Sequence, residues 1–261
     1  MSFLLPTVID DKKHPIKDAL YRSQCKETLD SEGVLVLKDF IQDKAIKMIL
    51  SEAKKQEYLA YYCINNHNVY LEPTDKNYPL NHARNRTVVS SKGCITDDQV
   101  PSQSPLKVLY DSEEFKKFLC SVLGEEVLYK YDDNLSSINI HYATQGQELG
   151  WHFDNSSFAI TLLIQKPDGG GKFEYIRDFR DVDNTIKNYQ KISDLLDNKF
   201  SPDILAMEPG SLVLFRGRNA IHRVTPTKGT KMRILSVLAY NSKPGVKLSE
   251  SARMTFFGKL N

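Results

Sequence analysis

From Val127 onward the chain is a succession of short apolar runs broken by turn residues, and this pattern restricts its fold more than anything else in it. Runs at 137–142, 158–165, 172–176, 204–208, 211–215 and 232–240 have strand length and are rich in β-branched and aromatic residues. Between them stand Gly146, Pro167-Asp168-Gly169-Gly170-Gly171, Pro209-Gly210 and Lys228-Gly229, the residues that reverse a chain tightly. Strands this short cannot bury a face alone and must close on one another. The pattern predicts a double-stranded β-helix, a jelly roll of the cupin-like kind, with a polar helical insert at about 184–199.

The first part of the chain reads differently. Apolar residues at helical spacing predict helices over 16–29, 41–59 and 112–123, with a short strand at 33–37. In the second helix Ala45, Met48, Ile49 and Ala53 share one face. Residues 61–105 are polar and read as a long functional loop with one strand-like piece at 86–89. The expected class is α+β, one domain over 1–261. Residues 1–126 would form helical support and a lid loop, 127–245 the jelly-roll core and 246–261 a tail, with the helices packed on one outer sheet face.

The core carries His152-Phe153-Asp154 and, after sixty-seven intervening residues, His222. In an extended segment residues two apart point the same way, so His152 and Asp154 can reach one metal ion, and a closed barrel can bring His222 to it from a distant strand. Two imidazoles and one carboxylate suit one face of an iron(II) ion and leave the other open. Arg233 lies eleven residues after His222. Its planar fork pairs bidentately with a carboxylate, which suits a dicarboxylic cosubstrate. A zinc hydrolase could use the same three ligands but would leave Arg233 unexplained. A cupin-like binding protein would need neither the full triad nor the arginine.

With these motifs in place, residues 136–245 resemble the catalytic core of the 2-oxoglutarate/iron(II) dioxygenase superfamily, whose H-x-D/E…H triad is followed by a basic residue. A closer resemblance runs over nearly the whole chain. His67-Asn68-Val69-Tyr70-Leu71, Gly150-Trp151-His152-Phe153-Asp154, Phe215-Arg216-Gly217-Arg218, His222-Arg223-Val224-Thr225-Pro226 and Ala239-Tyr240-Asn241-Ser242-Lys243-Pro244-Gly245 are similar to radical halogenases of free basic amino acids and their hydroxylase relatives. In the halogenases a small residue replaces the carboxylate ligand and leaves a place for chloride. Asp154 departs from that pattern, so the resemblance implies hydroxylation. It implies Fe(II), 2-oxoglutarate and O2 as cofactor and cosubstrates, and a small-molecule substrate, a free amino acid such as lysine. Desaturation, epimerisation or ring formation by the same chemistry stays open, as does a peptide substrate.

Other candidates follow from position. Thr161 or Tyr142 could supply a hydroxyl beside Arg233, because the serine that plant-type relatives carry two residues later is Leu235 here. Arg84 and Arg86 could hold a substrate carboxylate, and Asp132, Asp133 or Glu148 an ammonium. His141 could line the pocket, and Asn241 and Ser242 could bond an amino acid backbone. His14, His67 and His82 fall in polar stretches and read as surface residues, with the His67 segment able to close over the site. Trp151 reads as core. The net charge of +2 without a basic block argues against a nucleic-acid partner. No apolar run approaches the ~20 residues of a membrane span, and Met1 to Pro6 is too short an apolar start for a signal peptide. Four widely spaced cysteines match neither a zinc pattern nor a disulfide framework, and read as reduced, mostly buried thiols of a cytoplasmic protein. Oligomeric state is open, a homodimer included.

Overall fold

A computed structural model describes residues 4–184 and 187–261. Helices α1 (Leu5–Val8), α2 (Ala19–Glu32), α3 (Asp43–Gln56), α4 (Pro105–Asp111) and α5 (Glu113–Leu123) precede most of the sheet. Strands β1 (Val34–Leu37), β2 (Tyr61–Asn68) and β3 (Thr87–Ile95) lie among them. Then come β4 (Ile138–Ala143), β5 (Leu149–His152), β6 (Ala159–Gln165), β7 (Gly169–Gly170) and β8 (Phe173–Ile176). Helix α6 (Tyr189–Leu196) separates these from β9 (Asp203–Leu205), β10 (Leu212–Phe215), β11 (Ile221–Val224), β12 (Thr227–Lys228) and β13 (Arg233–Leu238). Helix α7 (Glu250–Phe257) follows.

All strands except β7 and β12, which pair with each other, join one antiparallel sheet in the order β1-β10-β6-β13-β4-β3-β5-β11-β8-β9, with β2 also on β3. The sheet curls on itself into the expected jelly roll. Period-2 alternation sorts its side chains. Ile138, Ile140 and Tyr142 of β4, Ile160, Leu162 and Ile164 of β6 and Ile234 and Leu238 of β13 enter one large core. Leu29 of α2, Ala45, Ile49 and Ala53 of α3, and Phe115, Phe118 and Leu119 of α5 complete it from the helical side. The helices therefore cover one outer sheet face, as expected. Met48, read with the buried face of α3, is 41% exposed. Residues of the other parity, among them Leu163, Val213, Phe215 and Leu235, point into the roll.

Local chemistry explains the helix ends. Asp18 accepts the Tyr21 N–H at the start of α2 and Ser112 the Phe115 N–H at the start of α5. Gly124, at φ 76°, closes α5 in the left-handed conformation that side chains avoid. The expected helices, strands and turns over 16–59, 112–123 and 137–240 are present with shifted ends.

Residues 61–105 are the main correction. They form the hairpin-like pair β2–β3, joined by residues 69–86, rather than a loop with one strand. Alternate side chains of β2 are exposed or half-buried, so it lacks the apolar alternation that announces a strand. The N-terminal region thus contributes β1, β2 and β3 to the sheet. Helix α4, capped by Ser104 with Pro105 in its first turn, and α7 in the expected tail are further elements that the apolar pattern does not announce. The expected insert is α6; its residues 185 and 186, like Met1–Phe3 of the apolar start, lie outside the described residues. The four cysteines are unbridged, Cys25 and Cys94 buried and Cys63 and Cys120 half-buried. No helix among the described residues is long and apolar enough to cross a membrane.

Candidate active site

His152 ends β5 and stands directly opposite His222 of β11 in the antiparallel register. Their rings lie 4.2 Å apart, centroid to centroid. Close packing of β5 on β3 explains Gly150: a Cβ there would stand 2.7 Å from the Val89 carbonyl oxygen. Asp154 leaves the strand and is tied back by its N–H to the Gly217 carbonyl oxygen at 3.1 Å.

The two imidazoles are oriented alike. His152 Nδ1 bonds the Gly150 carbonyl oxygen at 2.8 Å and His222 Nδ1 that of Ala220 at 3.1 Å. Each ring's Nδ1 donates, so each Nε2 lone pair is left for a ligand. Nε2 of His152 lies 3.9 Å, and Nε2 of His222 3.5 Å, from Asp154 Oδ1. One ligand atom from each residue falls within 4.8 Å of the others. Asp154 Oδ2 is buried and has no hydrogen-bond partner among the described residues. Two lone pairs and an orphaned carboxylate converging on one point fit a divalent ion, and the donor set suits iron(II).

Charge follows the same geometry. Burial, with His222 beside it, holds His152 well below the ordinary histidine value and so keeps it neutral, the state a metal needs. Burial acts to raise the Asp154 carboxyl, but His222, His152 and Arg180 outweigh it and hold it below the carboxylate range. Arg180 stacks 4.0 Å over the Phe153 ring and donates to the Arg218 carbonyl oxygen, which clamps the segment that bears the carboxylate. Phe173 stacks on His222 at 5.4 Å.

The triad opens into the roll. An inner cavity of about 340 Å³ is lined by His152, Asp154, His222, Arg233, Thr161, His141, Lys92 and Glu148 among others. Arg233 is buried at the start of β13, and its guanidinium forms neither an ion pair nor a hydrogen bond with a described residue. Burial lowers its pKa to about 10. An outer cavity of about 680 Å³ shares His152, Asp154, Leu149 and Lys92 with the inner one. Its other walls are β2, residues 71–74 and α7, including His67, Glu72, Ser251 and Phe256.

The structure brings His152, Asp154, His222, Arg233, Thr161 and His141 to one cavity. It places other candidates elsewhere. Tyr142 is fully buried on the helical side of β4, where its hydroxyl donates to the Ala53 carbonyl oxygen at 2.7 Å. Neighbouring strand residues face opposite ways, so His141 and Tyr142 cannot both line the roll. Arg84 is committed to Glu72 at 2.7 Å and to the Pro73 carbonyl oxygen, and Arg86 to Asp197 of the segment after α6 at 2.8 Å. Neither lines a cavity beside the triad. Asn241 pairs through its backbone with Tyr129, its side-chain Nδ2 buried and unbonded, and Ser242 is exposed; neither lines these cavities. Asp133 accepts from Leu135, Ser136 and Leu248, which makes it a turn residue, and Asp132 pairs with Lys247 at the surface. Glu148 alone of the three acids reaches the inner cavity.

His14 and His67 also differ from expectation. His14 is buried between Tyr21 and the Lys38 carbonyl oxygen. His67, 2.6 Å from Ser90 Oγ, has its ring 6.2 Å from that of His152 and lines the outer cavity. The pattern reading also passed over Lys92 and Gly217. Extending the strand at 86–89 through Ile95 was the one available signal for Lys92, since Ser90 and Lys92 then share a face.

Residues 17–255 match the model of a family described as HalD, Halogenase D. No curated protein matches the chain in sequence. Among solved structures, a 2OG-Fe(II) oxygenase family oxidoreductase from Burkholderia pseudomallei superposes with a TM-score of 0.53 at 13% identity, covering 87% of this chain and 93% of that one. A Pseudomonas putida prolyl-4-hydroxylase does so with 0.51 at 13% identity, covering 83% and 96%. The epimerase SnoN, solved with Fe3+, alpha ketoglutarate and nogalamycin RO, gives 0.57 at 9% identity, covering 85% and 84%. At such identities the likeness is one of fold, the fold of the 2-oxoglutarate/iron(II) oxygenases.

Proposed function

Because this chain belongs to the halogenase D family and yet keeps a carboxylate in its metal triad, we propose that it is a non-haem iron(II), 2-oxoglutarate-dependent oxygenase that hydroxylates a small molecule, a free basic amino acid such as lysine. The observation that carries the reading is Asp154. Its carboxylate stands within 4.8 Å of both imidazoles, on the side where a halogenase would leave space for a halide.

His152, Asp154 and His222 would hold iron(II). When bound, the iron couples oxidative decarboxylation of 2-oxoglutarate to activation of O2, so that a C–H bond becomes C–OH while succinate and CO2 leave. The chain's own groups supply the rest. Arg233, a buried cation without a partner, receives the distal carboxylate of 2-oxoglutarate, and Thr161 shares that wall. Phe173, Phe215 and Leu235 keep the inner cavity apolar and exclude water. The outer cavity, which reaches His152 and Asp154 from the side of β2 and α7, admits the substrate.

Incubation of the iron-loaded protein with 2-oxoglutarate, O2 and a pool of free amino acids tests this. Succinate formation stimulated by one amino acid, with a product heavier by one oxygen atom, is the expected result. A chlorinated product, or one lacking two hydrogens, would replace hydroxylation with another outcome. Slow succinate release that no amino acid stimulates would remove the amino acid substrate and leave the oxygenase.

A further inference from the structure

A buried cation, Arg233, and a half-buried one, Lys92, face the inner cavity. Lys92 sits on β3 beside Gly93, which pairs with Tyr142, and Arg233 on β13 pairs with Ala143. The two cations therefore stand on either side of β4, with the small Ala143 side chain between them. Lys92 Nζ lies 3.0 Å from His141 Nε2 and 5.7 Å from the Phe256 ring of α7. Burial, with Lys92 and Arg233 nearby, keeps His141 neutral, so it accepts from Lys92 and cannot balance its charge. No carboxylate forms an ion pair with Lys92 among the described residues. Glu148, the other acid on the inner wall besides Asp154, leaves it unpaired.

The proposed cofactors leave that charge over. Iron(II) and Arg233 are matched by Asp154 and the 2-oxoglutarate dianion. Lys92 and Glu148 are left over, one charge each and not paired with one another, and unlike Arg233 Lys92 also lines the outer cavity, next to His152 and Asp154. An unmatched ammonium at the junction of the cosubstrate and substrate spaces calls for a second anion.

We propose that Lys92, oriented by His141 and Phe256, receives the carboxylate of the primary substrate. The assignment rests on the oxygenase reading above and names the side chain that would hold the substrate's carboxylate. Glu148 adds an unpaired negative charge on the same wall, so the cavity matches the zwitterionic head of a free amino acid better than a simple anion.

Calorimetry without oxygen on the protein loaded with iron(II) and 2-oxoglutarate tests this. The probes are L-lysine against L-lysinamide, and hexanoate against hexanamide, each with wild type, Lys92→Met and Lys92→Arg. Wild type should prefer both carboxylates to their amides. Lys92→Met should weaken the carboxylates by about 10- to 100-fold, the loss of one charge-assisted contact, with the amides and 2-oxoglutarate unchanged; Lys92→Arg should restore part of the preference. Unchanged 2-oxoglutarate binding also shows that the variant is folded. The proposal is overturned if wild type has no carboxylate preference, if Lys92→Met keeps it, or if Lys92→Met loses 2-oxoglutarate as Arg233→Met should, which would assign Lys92 to the cosubstrate. If hexanoate shows the Lys92-dependent preference while L-lysine fails to bind, the amino acid substrate falls and the Lys92 assignment stands.

Discussion

Asp154 Oδ2 and the Arg233 guanidinium are polar groups that folding has buried without partners, and each such group costs stability unless a ligand meets it. Losing one partner of a buried charge pair costs about 2–5 kcal/mol, so Arg233→Met should weaken 2-oxoglutarate binding by roughly 30-fold or more while iron binding holds. Anaerobic titration of the iron-loaded variant reads both. The histidines make a second prediction. His141 and His152 are held below the ordinary value of 6.5 by burial. Below that pH the unfolded chain takes up protons that the folded one refuses, so folding stability falls as pH drops toward the lowered values. Asp154, lowered as well, adds to the loss at more acid pH. The melting temperature of the metal-free protein should therefore decline from about pH 7 to about pH 4, and His141→Gln should flatten the slope. A level profile would mean that neither imidazole is buried neutral.

At the scale of elements, the site depends on how closely three segments approach. Strands β5 and β11 set the two imidazoles face to face by register, and the turn before β11 must leave room for Asp154. A Cβ on Gly217 would fall 1.9 Å from Asp154 Oδ2. Gly217→Ala should push the carboxylate aside and lower iron affinity by about 10- to 100-fold with little change in circular dichroism. Retained iron affinity would show that Asp154 has another place to go. Strand parity is just as decisive. The same alternation that sends Ile140 and Tyr142 to the helices sends His141 and Ala143 into the roll. Parity is readable from the pattern of β4, but the expectation that both His141 and Tyr142 serve the pocket leaves it unused. The β2–β3 pair was not readable, because its alternate positions are open to solvent and no burial contrast marks them.

Over the whole molecule, one helical layer packs on one sheet face, and this core bears most of the stability. Leu162→Ala at its centre should cost about 2–5 kcal/mol and lower the melting temperature by several degrees, measured by thermal denaturation. The candidate metal triad joins segments far apart in the chain, so iron(II) with 2-oxoglutarate should raise the melting temperature and a chelator should reverse the gain; about 2.7 kcal/mol is expected at a hundredfold excess over Kd. The amino-acid order by itself determined the class of fold and marked His152, Asp154, His222 and Arg233, which the structure brings to one cavity. Strand length, turn chemistry and residue type are local properties, and each is written where it acts. Tertiary structure alone decided which cations besides Arg233 go without an ion pair. Arg84 and Arg86 find Glu72 and Asp197, whereas Lys92 finds only a neutral histidine. Charge pairing depends on which side chains meet across strands, and that contact exists only once the sheet has closed.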